Sequence, residues 1–279
     1  MIGYVDVGGC LRGIYGAAVL DQCLEKHISF DLMIGVSAGS ANVVSYLAGQ
    51  KHRNYRFYMD YSFRREYMGL RHFLKTGNYL DLEYIYGDAL SNSTGEYPLF
   101  YEGVLKSGKH MLVVATDAQT GEPVYYTEQD MSQDDYGAIK GSSNVPVADH
   151  PYEWKGRLLF DGGLSDPIPF RKAFDAGCEK VVVLLTRPKD YFRTPEKDRR
   201  MALLIRRRYP KTADRLVNRW QLYNSQLEEA LRLEAEGKVL IVAPSDIGQM
   251  STLTKDKEQM QKLYEKGLED ANAITAFIG

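Results

Sequence analysis

Leu32-Met33-Ile34-Gly35-Val36-Ser37-Ala38-Gly39-Ser40 decides how this chain is read. An apolar run leads into the stretch, and a small-residue helix, Ala38 to Ala48, leads out. The pattern is G-x-S-x-G on a strand–turn–helix. The turn is too tight for side chains two positions either side of the serine, so Gly35 and Gly39 keep the approach clear, with Val36 and Ala38 as its direct neighbours. The helix that follows aims its N-terminal N–H groups at the turn, where they can stabilise developing negative charge. Five residues of this kind recur by chance in many chains. The strand before and the helix after give the motif its weight.

Upstream, residues 2–7 read as a short buried strand, with no basic stretch or long apolar segment of an export signal. Gly8-Gly9-Cys10-Leu11-Arg12-Gly13 follows, then a helix from about Ile14 to Lys26 with apolar residues at helical spacing. A glycine-rich turn between strand and helix is an anion cradle, because its N–H groups can approach an oxyanion closely. It is not a dinucleotide loop, since Cys10 stands at the second glycine of G-x-G-x-x-G, and it lacks the Gly-Lys-Ser/Thr ending of a P-loop. Two such units in the first fifty residues place both turns at the C-terminal edge of one parallel sheet, where open α/β sheets carry their chemistry.

Downstream, residues 51–108 read as mostly helical and carry nine tyrosines, Tyr55 to Tyr101, which fit core and rim packing better than an acyl groove. Met111–Asp117 is a third strand and Val124–Thr127 its antiparallel partner, followed by a short helix near 133–140. Arg157–Phe160 is a strand ending in Asp161-Gly162-Gly163. An Asp-Gly pair is most often a plain turn. At a strand's end, two glycines also let a second segment pass close to the carboxylate. Pro167 opens a helix to about Ala176, and Val181–Leu185 is a buried strand. Residues 187–219 hold twelve Lys and Arg against Asp190, Glu196, Asp198 and Asp214. A solvated face is the usual explanation of such a run, and contact with an anionic membrane the alternative. Gln221–Glu236 is helical, 238–243 is a last strand and about 255–277 a closing helix.

The 279 residues are 44% hydrophobic and 26% charged, enough for one large α/β core. A net charge of -2 argues against nucleic-acid partners. Cys10, Cys23 and Cys178 lack metal-ligand spacing and read as reduced thiols; no cofactor is expected. No run reaches the roughly 18 apolar residues of a membrane span. The expectation is a cytoplasmic protein, with 187–219 as its candidate peripheral contact with the inner face of a membrane. The sequence is silent on oligomeric state.

Ser37 needs a proton acceptor. The histidines are His27, His52, His72, His110 and His150, so no histidine follows Asp161. A triad of Asp117 with His150 satisfies chain order, yet His150 sits in a polar loop. The favoured arrangement is a dyad in which Asp161 takes the Ser37 proton directly. A carboxylate is a weaker base than imidazole, so it must be desolvated, held in contact and helped by strong oxyanion donors.

These pieces in this order resemble the patatin-like phospholipase family. Its Gly-Gly-Gly-x-Arg-Gly loop is matched by Gly8, Gly9, Arg12 and Gly13, its G-x-S-x-G by Gly35, Ser37 and Gly39, and its Asp-Gly-Gly/Ala by Asp161, Gly162 and Gly163. Ser142-Ser143-Asn144-Val145-Pro146 is similar to the segment that precedes the family's aspartate. The resemblance covers about residues 1–186 and is closest to bacterial single-domain members with a helical C-terminal extension. It implies a three-layer α/β/α fold with a mainly parallel sheet and helices on both faces. It also implies a Ser37–Asp161 dyad, hydrolysis of lipid acyl esters, and no metal. Residues 1–186 then form the catalytic domain, and 187–279 a mostly helical extension on the same domain.

Amides from Gly9 through Cys10 and Leu11 to Arg12 are expected to hold the oxyanion, with Arg12 bracing the loop or attracting an anionic head group. Cys10 replaces the third glycine, and its Cβ and sulfur are expected to narrow the mouth and to call for negative φ. That departure, with the basic segment, motivates the alternative of a lipid-binding protein with a vestigial site.

Overall fold

The computed structural model describes residues 1–279. Eight strands form one sheet: β1 (Ile2–Asp6), β2 (Leu32–Val36), β3 (His110–Asp117), β4 (Pro123–Thr127), β5 (Tyr152–Trp154), β6 (Arg157–Asp161), β7 (Lys180–Leu184) and β8 (Val239–Val242). Hydrogen-bonded pairing runs along the path β5-β6-β3-β2-β1-β7-β8, with β4 also paired to β3 on the side away from β2 and β6. The run β3-β2-β1-β7-β8 is parallel, and β4, β5 and β6 add antiparallel pairings at one flank.

Successive residues of the central strands feed opposite faces, as the period of two requires. Tyr4, Met33 and Val182 join a large core on one face, while Val5, Ile34 and Val183 join a second on the other. The first core is packed by the helices Ile14–Glu25 and Lys257–Asp270. The second is packed by Phe170–Asp175 and by the 26-residue helix Pro210–Ala235, through Tyr223, Leu227, Ala230 and Leu233. The mixed α/β, mostly parallel architecture is the expected one. The late strand joins the main sheet, since β8 pairs in parallel with β7.

Local boundaries differ where tertiary contacts decide them. The helix near 133–140 runs Gly137–Ser142 instead, because Ser142 is drawn to β3. Pro167 does not open a helix; the next one is Phe170–Asp175. The closing segment is two helices, Lys257–Asp270 and Asn272–Ile278. Of the nine tyrosines between 55 and 101, Tyr58, Tyr61, Tyr67, Tyr86 and Tyr101 are buried and the rest half-buried, as core and rim packing requires.

One feature of register positions the site. Ala115 of β3 pairs with both Val124 and Asp161, so β4 and β6 lie on opposite sides of β3. Val114 pairs with both Val36 and Tyr125, so β4 and β2 also lie on opposite sides. β2 and β6 therefore share one side of β3 and run head-on. Their C-terminal ends meet where Val36 faces Val114 and Asp161 faces Ala115. Ser37 is the next residue after Val36.

Candidate active site

Ser37 sits at φ 56°, ψ -131°, a conformation that costs a non-glycine residue on the order of 1–3 kcal/mol and persists only where surroundings impose it. Here the Ser37 N–H donates to Ser142 Oγ at 2.8 Å, and the Ser37 carbonyl accepts from the Ser40 N–H at 2.9 Å and Ser40 Oγ at 2.6 Å. The Ala38–Leu47 helix starts immediately after it. Gly39 must be glycine for proximity: a Cβ there would stand 2.3 Å from the Asp6 carbonyl oxygen. That close approach locks the serine turn against the end of β1.

Asp161 ends β6 beside this turn. Its N–H donates to the Asn144 carbonyl at 2.7 Å, and its Oδ1 accepts the Gly163 N–H at 2.7 Å. A Cβ at Gly162 would stand 2.1 Å from the Val114 carbonyl oxygen, so the chain can turn here only as glycine. Burial pushes the Asp161 carboxyl above the usual range. A hydrogen bond from the Ser37 side chain, the Gly163 N–H, and the charges of Arg219 and Arg193 oppose that shift. The Ser37 side chain thus lies beside this carboxylate, at the junction of the β2 and β6 ends.

His150 is elsewhere. It is exposed and lines a cavity of about 200 Å³ with His72, Asn78, Asp81 and Asp149. Asp117 is engaged by Arg157 at 3.1 Å and by the Gln119 and Thr120 N–H groups. The Asp117–His150 triad is not assembled.

The glycine loop packs on the serine turn, with Gly8 and Gly9 at φ 64° and 137°. Cys10 also holds positive φ, at 53°. The expected negative φ is not adopted, because the loop's bonds on either side dictate the backbone. The Gly8 N–H donates to Asp6 Oδ1 at 2.9 Å, and the Leu11 N–H to the Thr252 carbonyl at 3.1 Å. Burial pushes the Cys10 thiol up to about 11, which keeps it neutral at neutral pH.

Those same bonds narrow the set of oxyanion donors. Leu11 gives its amide to Thr252, and Arg12 gives its amide to the Gly9 carbonyl at 3.3 Å. Gly9 and Cys10 donate to no protein acceptor, and neither does Ala38, the first residue of its helix. The Arg12 side chain ties its loop to Thr186 and Thr252. Arg12 is 6% exposed, its Nε donates to the Thr186 carbonyl at 3.2 Å and its Nη1 to Thr252 Oγ1 at 3.3 Å.

Four contributing residues were not singled out in the sequence for the parts they play. Asp6 is fully buried under the glycine loop and holds both Gly8 and Asn42 Nδ2, the latter at 3.0 Å. Ser142 holds the serine amide. Arg193 and Arg219, read only as part of a charged run, stand within electrostatic reach of Asp161. The available signals were a strand-end aspartate two residues before a glycine loop, for Asp6, and the family-like Ser142–Pro146 segment, for Ser142.

A family model described as patatin-like phospholipase matches residues 7–174, and a domain of unknown function, DUF6363, matches residues 209–278. The uncharacterized protein YjjU of Escherichia coli strain K12 is 29% identical over 205 residues. The match spans 72% of this chain and 56% of that relative. The crystal structure of VipD from Legionella pneumophila has a TM-score of 0.49 at 14% identity, over 98% of this chain and 66% of VipD. Since the first family model spans more than half of its length, this chain belongs to the patatin-like phospholipase family, whose members are lipid ester hydrolases.

Proposed function

We propose that the protein is a serine hydrolase of lipid carboxylic esters, of phospholipase A, lysophospholipase or esterase type, working through Ser37 and Asp161. The observation that supports this is the meeting of the β2 and β6 ends, which carry Ser37 and Asp161 to the same edge of β3. Asp161 takes the hydroxyl proton as Ser37 Oγ bonds to the carbonyl carbon, and returns it to the departing alcohol oxygen. Water then attacks the acyl-enzyme, its proton passing to Asp161 and on to Ser37 Oγ. The Gly9, Cys10 and Ala38 amides are the donors for the tetrahedral oxyanion. The positive φ at Cys10 supports a working site over a vestigial one, because the loop keeps the backbone course that glycine would take. A fluorophosphonate probe should label wild-type protein at Ser37 and leave Ser37→Ala unlabelled. Labelling elsewhere, or none, would refute the assignment.

Peripheral contact with an anionic membrane is a second reading, favoured by the Glu196–Ile205 helix. Leu203 and Leu204 are 73% and 72% exposed, and Arg199, Arg200, Arg206, Arg207 and Arg208 flank them in sequence. No helix is long and apolar enough to cross a membrane. Vesicles containing phosphatidylglycerol should carry the protein on flotation. Loss of that association in Leu203→Asp/Leu204→Asp is the expected result, and unchanged flotation the contrary one.

A further inference from the structure

Four guanidinium groups, those of Arg12, Arg187, Arg193 and Arg219, gather near the site, and only two of them have a carboxylate partner, Asp198. Arg193 Nη2 and Arg219 Nε both reach Asp198 Oδ2, at 3.2 and 3.1 Å, and Asp198 is 2% exposed. Arg187 stacks on the Tyr191 ring at 4.0 Å, Tyr191 meets Tyr223 edge-on at 6.2 Å, and Arg193 lies 5.7 Å from the Tyr223 centroid. Arg12 completes the group, spending its hydrogen bonds on a carbonyl and a hydroxyl. Arg187 and Arg12 make no ion pair. Burial and mutual repulsion draw both Arg12 and Arg219 down to about 10. The cluster therefore carries four positive charges against Asp198 and Asp161.

Hydrogen bonding repeats the imbalance. Arg193 Nε and Arg219 Nε are buried and have no hydrogen-bond acceptor; the Arg219 N–H is angled away from the Asp198 oxygen that it touches. One guanidinium would satisfy Asp198. A second, with orphaned Nε–H groups and a third guanidinium on a tyrosine face beside it, is more than structure requires. Three of the four arginines, Arg187, Arg193 and Arg219, come from the C-terminal extension. Leu216, one turn before Arg219 on its helix, packs with Phe160 and Leu164 around the Asp161 turn.

We propose that Arg187, Arg193 and Arg219 bind an oxyanion carried by the ester itself, a phosphate or a carboxylate, and so make the site selective for anionic acyl esters. This rests on the hydrolase reading and assigns its selectivity to the extension. A planar fork on each arginine suits a tetrahedral phosphate, and the low exposure strengthens each contact.

The test compares a lysophosphatidate with the monoacylglycerol of the same acyl chain, which differ only in the phosphate. Wild type should turn over the phosphorylated ester with at least about tenfold higher kcat/KM, mostly through KM. Arg187→Gln breaks no ion pair and should lower that ratio about tenfold; Arg193→Gln should do the same where it folds. Inorganic phosphate should compete with the ester. Titrated calorimetrically into Ser37→Ala protein, it should bind, and bind more weakly once Arg187→Gln is added. Turnover of both esters with a ratio unchanged in Arg187→Gln overturns the proposal. So does phosphate binding without any preference for the phosphorylated ester, which would mark a site for free phosphate. No turnover of either ester by wild type overturns the hydrolase reading instead, whatever phosphate does.

Discussion

Ser142 ties the serine turn to the central strand: its Oγ accepts the Ser37 N–H at 2.8 Å and donates to the Val114 carbonyl at 2.6 Å. Val114 is the residue that pairs with Val36, so one hydroxyl joins the last pair of the β2–β3 ladder to the residue just beyond it. Ser142→Ala leaves a part-buried donor and a buried acceptor without partners, at a cost of about 1–3 kcal/mol. We expect a stability loss in that range by chemical denaturation. We also expect kcat to fall about tenfold with little change in KM, because the turn that aims Oγ is loosened. Unchanged kcat would mean that helix packing alone holds the turn.

The proposed Ser37–Asp161 dyad predicts that Ser37→Ala abolishes ester hydrolysis with the fold intact. Asp161→Asn keeps the shape of the side chain and its Gly163 contact but removes the base, so kcat should fall by about 10²–10⁴. Because burial holds the Asp161 carboxyl above its ordinary range, the acid limb of kcat/KM should lie above pH ~4. Activity rises as pH climbs through that limb, since the ionised form is the base. A mild Asp161→Asn effect would show that another group takes the proton.

The parts of the site that could be read from sequence are local. Ser37 and its glycines form one strand–turn–helix, and Asp161 with Gly162 ends one strand; each announces itself within a few residues. What brings them together is not local. β6 had to lie antiparallel on the same side of β3 as β2, and nothing in Arg157–Asp161 encodes its partner. The oxyanion donors were over-counted for the same reason, since Leu11 is taken by Thr252, about 240 residues away. The basic run was read as one surface, yet the folded chain divides it. Leu203, Leu204 and their arginines face outward, while Arg193 and Arg219 turn inward onto Asp198. Which face of a 26-residue polar helix docks on the Asp161 turn is a tertiary outcome.

Cys10 carries positive φ, which costs a side-chain-bearing residue roughly 1 kcal/mol or more. Cys10→Gly should relieve that strain at the loss of modest packing, leaving stability within about 1 kcal/mol of wild type or above it. Removing the sulfur should widen the loop's mouth and raise kcat/KM more for bulky acyl esters than for short ones. Equal changes for both would place the thiol away from the acyl group's path. With its pKa near 11, the wild-type thiol should also react with iodoacetamide at pH 8 far more slowly than a free cysteine.

Asp6 sets the pH behaviour of the glycine loop. Burial raises its carboxyl from 3.8 to about 6, partly offset by the bonds from Asn42 and Gly8. The folded state therefore keeps this proton at pH values where the unfolded chain has released it. With more protons bound in the native state, stability must fall as pH rises between about 4 and 6, by roughly 3 kcal/mol for this group, and then level off. Asp6→Asn cannot titrate and still offers an oxygen to the Gly8 N–H. Whatever its absolute stability, it should lose roughly 3 kcal/mol less than wild type between pH 4 and pH 7 in parallel denaturation series. Parallel curves for the two proteins would mean that the Asp6 carboxyl ionises in the folded protein as it does in the unfolded chain. The loop would then stand on a charge that costs the fold nothing.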